Sequence, residues 1–174
     1  MKKIVIVALL SVFVAAPAVA ADGKNNVGVN YGLDLNGTLG IQGEMDISSM
    51  VKKQPVSVQV FYKRATQTFY GVSASIAALG VAGIYDFNEL ARLDKKIHPY
   101  AGAGFKHVTE TVVLPGFAGF PGFPGTAIPA TTASATSTDL YFTGGVRYSL
   151  TPQFDADLNY NNFGGITIGA NFKF

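Results

Sequence analysis

Apolar residues fall on every second position in eight separate stretches of this chain. Val27, Val29, Tyr31, Leu33 and Leu35 alternate with Gly28, Asn30, Gly32 and Asp34. After Asn36-Gly37, a dipeptide suited to a tight hairpin, Leu39, Ile41, Met45 and Ile47 alternate with Gly40, Gln42, Glu44 and Asp46. Val56, Val58, Val60 and Tyr62 then alternate with Ser57, Gln59 and Lys63, and Phe61 is the one large apolar side chain on the polar side. Leu79, Val81, Tyr85 and Phe87 face away from Ala78, Gly80, Ala82 and Asp86; Ala101, Ala103 and Phe105 face away from Tyr100, Gly102, Gly104 and Lys106. Leu140, Phe142, Val146 and Tyr148 alternate with Tyr141, Thr143, Gly145 and Arg147, and Phe154, Ala156, Leu158 and Tyr160 with Asp155, Asp157, Asn159 and Asn161. In the last stretch Ile166, Ile168, Ala170, Phe172 and Phe174 alternate with Thr167, Gly169, Asn171 and Lys173. A period of two is that of a β-strand with one apolar face.

Eight strands joined by local connections predict an all-β fold, a closed eight-stranded antiparallel up-and-down barrel. Stretches of this length match the nine to eleven tilted residues that cross a bilayer, and an even number of strands closes without an edge. Gly71 to Tyr85 is the nearest thing to an apolar helix, and its length and its Ser73, Ser75, Gly80 and Gly83 read as loop plus strand. Alternation alone also suits a soluble sandwich with charges outside. In the membrane reading Asp34, Glu44, Asp46, Lys63, Asp86, Lys106, Arg147, Asp155, Asp157 and Lys173 line the lumen, since none sits on an apolar face. They pair with one another in an interior narrow enough for side chains to fill. Two features favour the membrane: the polar faces are rich in Gly and Ala, and apolar-face aromatics gather at strand ends. Tyr85, Phe87, Tyr148, Phe154, Phe172 and Phe174 form one girdle, Tyr62, Phe105, Phe142 and Tyr160 the other.

The chain ends on Phe174, preceded at alternate positions by Phe172, Ile168 and Ile166. This ending resembles the C-terminal signature of bacterial outer-membrane β-barrels. The stretches Tyr100–Phe105 (YAGAGF), Ala78–Phe87 (ALGVAGIYDF) and Tyr160–Gly165 (YNNFGG) are similar in style to the small OmpA/OmpX-like transmembrane barrels. The resemblance implies that Ile166, Ile168, Phe172 and Phe174 form an assembly signal read by the barrel assembly machinery. It also implies outer-membrane lipid as the surrounding partner, and no peptidoglycan-binding domain is expected after the last strand. Kinship of fold does not by itself assign an activity.

Met1-Lys2-Lys3, the apolar run Ile4–Ala16 and the small-x-small site Ala18-Val19-Ala20 read as a cleaved secretory signal, so residues 1–20 are signal peptide and 21–174 the barrel domain. Loss of Lys2 and Lys3 from thirteen basic residues leaves eleven against eleven acidic ones. A neutral chain gives no support for nucleic-acid binding. There is no cysteine for disulfides, thiolate chemistry or lipoprotein anchoring.

Candidate chemistry is sparse. His107, Thr109 and Glu110 lie close together near a strand end, and a His, a hydroxyl and a carboxylate are the raw material of a catalytic triad; the His-x-Thr spacing only approximates the His-x-Ser of the lipid A deacylase barrels. A polar strand end entering a loop is the simpler reading. His98-Pro99 reads as a turn, two separated histidines make no metal site, and Asp155 with Asp157 is too little for calcium. No cofactor is expected. The longest connection, about residues 110–138, carries no charge from Thr111 onward and repeats Gly-Phe at Phe117, Phe120 and Phe123 between prolines. It is expected to be an irregular extracellular loop whose second half extends the sixth strand, and whose phenylalanines offer a contact to a surface partner or a hydrophobic solute. With periplasmic termini, the turns at 48–55, 88–99 and 150–153 face the periplasm. The function expected is a non-catalytic envelope or surface-interaction barrel, with a narrow pore or conduit for hydrophobic solutes as the alternative and a lipid-modifying enzyme or soluble ligand-binding barrel behind it.

Overall fold

The computed structural model describes residues 25–33, 37–51, 54–91, 93–116 and 128–174. The proposed signal segment, Asp34, and Phe117, Phe120 and Phe123 lie outside them. Eight strands follow one another around a closed barrel: β1 (Asn26–Gly32), β2 (Leu39–Asp46), β3 (Val56–Phe69), β4 (Val72–Asp86), β5 (Ile97–Leu114), β6 (Thr131–Ser149), β7 (Phe154–Asn161) and β8 (Gly165–Lys173), with one helical turn, α1 (Asn88–Ala91), before β5. Every neighbouring pair is antiparallel, and β1 closes on β8 from Asn26↔Lys173 to Gly32↔Thr167. Closure removes the sheet edge, so each backbone group within the barrel wall has a partner on one side or the other.

Burial follows the alternation of the sequence. Phe61, Ala78, Ala82, Ile84, Tyr100 and Tyr141 point inward and are buried; Val29, Ile41, Val81, Phe105, Leu140, Val146, Leu158, Ile166 and Ile168 point outward and are exposed. Phe61, the apparent misfit of its strand, is therefore an interior residue. Gly80 makes room for it, because a Cβ there would lie 2.3 Å from Phe61 Cζ. The outward aromatics meet at the end of the barrel that holds the C-terminus, where one girdle is expected, Tyr85 against Phe87 at 4.9 Å and Phe154 against Phe172 at 5.2 Å between ring centres.

Three boundaries differ from those the sequence predicts. β1 ends at Gly32 and β2 begins at Leu39, so the strands end earlier than a tight hairpin at Asn36-Gly37 predicts, and Asn36 lies outside the described residues; Gly32 N donates to Thr38 O at 2.6 Å. Gly71 to Tyr85 is not loop plus strand. β3 and β4 run on as a continuous hairpin whose turn is Tyr70-Gly71, both with positive φ (48° and 80°), the conformation that matches the strands' right-handed twist. The long connection is also shorter than residues 110–138: β6 begins at Thr131, extended as the second half of that connection is expected to extend it, and β5 continues to Leu114, which the sequence reading leaves in the loop. Small and β-branched residues carry no clear alternation of polarity, so the extensions of β3, β4 and β5 resemble loop in the sequence.

The strands consequently have two heights. β1, β2, β7 and β8 have 7 to 9 residues, whereas β3, β4, β5 and β6 have 14, 15, 18 and 19. Pairing of β2 with β3 stops at Leu39↔Arg64, and pairing of β6 with β7 starts only at Thr143↔Asn161. Beyond those points the four tall strands stand clear of the barrel as an open sheet.

Face and depth together predict the cost of a charge. Leu158, 56 % exposed and in the middle of β7, replaced by Arg should lose about 2 to 4 kcal/mol of stability, and Leu39→Arg, at the far rim, about 0 to 1. Denaturant titration in phospholipid vesicles compares them; equal costs would contradict this placement in the bilayer.

Candidate functional site

The interior is built in levels, each from inward residues of several strands. At the end that carries Asn25 and Phe174, Lys173 Nζ pairs with Asp155 at 2.8 Å, and Ser149 bridges them, its hydroxyl donating to Asp155 and accepting from Lys173. His98 meets Asp86 at 3.2 Å beside it, and Asp46 accepts from the backbone and hydroxyl of Ser48. At mid-height Arg147 donates two hydrogen bonds to Glu44, at 3.0 and 2.5 Å, and lies 4.3 Å from the centre of the Tyr100 ring. Tyr100 OH donates to Asp157 at 2.9 Å, Asn159 donates to the same carboxylate, and Thr167 and Asn161 donate to Asn159. The forked Arg–carboxylate contact and the stacked ring are what allow a guanidinium to lie in a desolvated interior. A second chain of amides, Asn30 to Gln42 to Asn171, closes the other side of this level.

Above it, Phe61 and Tyr141 pack at 4.1 Å between ring centres, and Lys63, 1 % exposed, sits 5.6 and 5.5 Å from those rings and donates to Tyr141 OH at 3.2 Å. Lys106 donates to the backbone O of Asn162 at 2.8 Å and lies over Phe163. Of the ten charges expected in the lumen, two acid–base pairs form directly among the described residues, Glu44 with Arg147 and Asp155 with Lys173. Asp86 takes His98, which the sequence alone assigns to a turn, and Asp157, Lys63 and Lys106 are held by hydroxyl, amide, carbonyl or ring. Tyr100 and Tyr141 are the partners that the charge pattern leaves out. Their position on polar faces otherwise poor in bulky residues is the available signal.

The triad candidates do not converge. His107 lies on the outward face of β5 and bonds Thr138 at 3.1 Å, whereas Glu110 has the opposite parity and points inward. Among the described residues no three His, Asp or Glu side chains are grouped as metal ligands.

The faces of the projecting sheet differ from those of the barrel below it. Its inward face mixes Ala65, Ala74, Ile76, Val108, Val112 and Leu114 with Gln67, Glu110, Ser137 and Asp139, and a shallow hollow of about 160 Å³ is bordered there by Ala65, Gln67, Ala74, Ile76, Glu110 and Val112. Its outward face is made mostly of serines and threonines. At its tip Phe69 and Tyr70 are 73 % and 90 % exposed and pack edge to face at 4.3 Å. Along its β6 edge, residues 131–142 have no strand beside them on the β7 side among the described residues.

The model of the outer membrane protein beta-barrel domain family matches residues 5–174. The chain belongs to that family. It is thus an outer-membrane β-barrel of a Gram-negative envelope. Among the described residues no helix is long and apolar enough to cross a membrane. Its fold is similar to that of Neisserial surface protein A (20% identity, TM-score 0.56, covering 86% of this chain and 94% of that one). It is similar also to the N-terminal barrel of Pseudomonas aeruginosa OprF (14%, 0.55, 86% and 96%). The Yersinia pestis outer membrane protein Ail in a nanodisc matches at 14% identity and TM-score 0.50, over 86% and 98%. No curated protein matches this chain.

In this outer-membrane barrel the Glu44–Arg147 pair can be tested by the charge its loss would strand. Glu44→Gln leaves a buried guanidinium without its carboxylate and should cost about 3 to 5 kcal/mol, whereas Glu44→Gln combined with Arg147→Met should cost less than that single change. Denaturant titration in vesicles measures both; an additive or larger loss in the double variant would show that the pair is not coupled.

Proposed function

We propose that this protein is a non-catalytic surface-interaction barrel whose closed interior serves as a scaffold and whose projecting sheet makes the contact. The observation that carries this reading is the exposed Phe69–Tyr70 pair at the tip of four strands that extend past the membrane-crossing length. An aromatic pair held on a rigid hairpin loses little freedom on binding, and Tyr is enriched where interfaces concentrate their energy. The orientation proposed is termini and the Lys95-Lys96 turn in the periplasm and the sheet outside, after export by a cleaved signal and insertion through the outward-facing Ile166, Ile168 and Phe172 of β8 and the terminal Phe174.

A conduit for hydrophobic solutes is less well supported, because Phe61, Lys63, Tyr141, Tyr100 and Arg147 occupy successive levels of the interior and each is buried. Phe117, Phe120 and Phe123 remain a proposed second contact.

Phe69→Ser with Tyr70→Asn should leave the barrel folded, since Asn tolerates the positive φ at position 70. Adhesion of intact cells carrying this variant, at equal surface density, to hydrophobic beads and to neighbouring cells should weaken about thirtyfold, as expected for loss of an aromatic anchor. Unchanged adhesion would overturn the tip reading, and single-channel conductance of the purified barrel in planar bilayers would favour the conduit instead.

A further inference from the structure

On the inward face of the projecting sheet, Glu110 stands in an aliphatic field. The register sets Ala65, Ile76, Glu110 and Ala135 in one row across the four strands, and Gln67, Ala74, Val112 and Ala133 in the row beyond it. Val108 and Val112 precede and follow Glu110 on its own side of β5, and Ser137 is the one polar residue at its diagonal positions. On a sheet surface a charge is ordinarily met by an opposite charge directly across or diagonal to it. Glu110 has no such neighbour, and it makes no hydrogen bond or ion pair among the described residues. The other charges at this level are engaged or turned away. Asp139 accepts from Ser137 at 2.8 Å, Lys106 donates to Asn162 O at 2.8 Å, and Arg64 and His107 have the parity of the outward face.

The hollow of about 160 Å³ opens beside this carboxylate. Its floor is the backbone at Thr66, Ser75 and Thr111, whose side chains point to the other face, and the short side chains of Ala65 and Ala74 leave the space above it open. Ile76 lies beside Glu110 in its row and Val112 beyond it on the same strand, so the carboxylate and two aliphatic walls share one border. The volume is below the roughly 300 to 1,000 Å³ of a small-molecule pocket and is on the scale of a single side chain.

We infer that this hollow receives an arginine side chain of a protein partner, its guanidinium on Glu110 and its aliphatic stem along Ile76 and Val112. Charge complementarity selects the occupant. An ionised carboxylate only accepts hydrogen bonds, and the guanidinium fork meets its two oxygens with two parallel ones. The aliphatic border covers the stem of the guest and keeps water from the ion pair, which strengthens it. Lysine lacks the fork and is held more tightly by water, and a wholly apolar guest would bury the Glu110 charge without a partner. The inference rests on the reading of the projecting sheet as a contact surface, and it concerns a different part of that sheet from the aromatic tip.

The test uses the whole barrel in vesicles of zwitterionic phospholipid, where a cationic probe finds no lipid counter-charge. The probes are three fluorescent peptides of alternating valine and threonine that differ at one central residue: arginine, its neutral isostere citrulline, or lysine. Fluorescence anisotropy should show the arginine peptide binding about thirtyfold more tightly than the citrulline peptide and more tightly than the lysine peptide, as expected for a charge-assisted pair. Glu110→Gln should remove that preference, so that the arginine and citrulline peptides bind alike. Ala74→Leu, which fills the hollow and keeps the carboxylate, should weaken the arginine peptide as well. An arginine peptide bound equally by the unaltered barrel and by Glu110→Gln would overturn the inference, as would absence of binding by all three peptides. Lysine bound as tightly as arginine would overturn the choice of guest. Failure of the contact reading has its own signature, unchanged cell adhesion by Phe69→Ser with Tyr70→Asn, and the peptide preference of the purified barrel is measured independently of it.

Discussion

A backbone amide in hydrocarbon has no water to turn to, and the whole molecule is arranged around that constraint. Pairing all eight strands around a ring, with β1 returning to β8 from Asn26↔Lys173 onward, is how a strand-built chain meets it. Once the ring is closed, alternate side chains have only two destinations, lipid or lumen. The outward set, from Val29 to Ile168, is at home in lipid, and the inward set must then fill a narrow interior and satisfy its own polar groups.

The way that interior is filled differs from simple pairing of opposite charges. Arg147 is held by Glu44 on one side and the Tyr100 ring on the other, and Tyr100 passes the contact on to Asp157. Lys63 is enclosed by Phe61 and Tyr141 rather than by an acid. Aromatic rings thus serve as both filler and polar partner, and small residues such as Gly80 opposite them give the space. Breaking any one charged contact strands another group away from water, so the levels are mutually dependent.

Above the bilayer the constraint lapses, and the four tall strands are free to rise without a closed ring. An edge is tolerable where water can satisfy it, so β6 runs from Thr131 to Phe142 with β5 as its one strand neighbour among the described residues, and Asn162 caps Leu140 and Phe142 at its base. The faces change character at the same height: serines and threonines dominate outward, and aliphatic side chains such as Ile76, Val108 and Val112 stand inward beside Gln67, Glu110 and Asp139.

The period of two, repeated eight times and ending on Phe174, determined strand number, the barrel and the inward or outward sense of nearly every described residue within those eight stretches, because side-chain direction in a strand depends only on parity. Parity likewise placed Glu44, Arg147, Asp155 and Asp157 inside. It was silent about which inward residues meet: Arg147 and Glu44 lie 103 positions apart, and their contact depends on the shear of a closed ring, which no local pattern encodes. The heights of β3, β4 and β5 were hidden too, since residues 65–77 and 109–114 look like loop when read alone and become strand only beside one another, whereas the extension of β6 was legible in the second half of the long connection. The surroundings of Glu110 could not be seen along the chain either. Ala65, Ile76, Glu110 and Ala135 form a row only after the register of three antiparallel pairings brings them side by side.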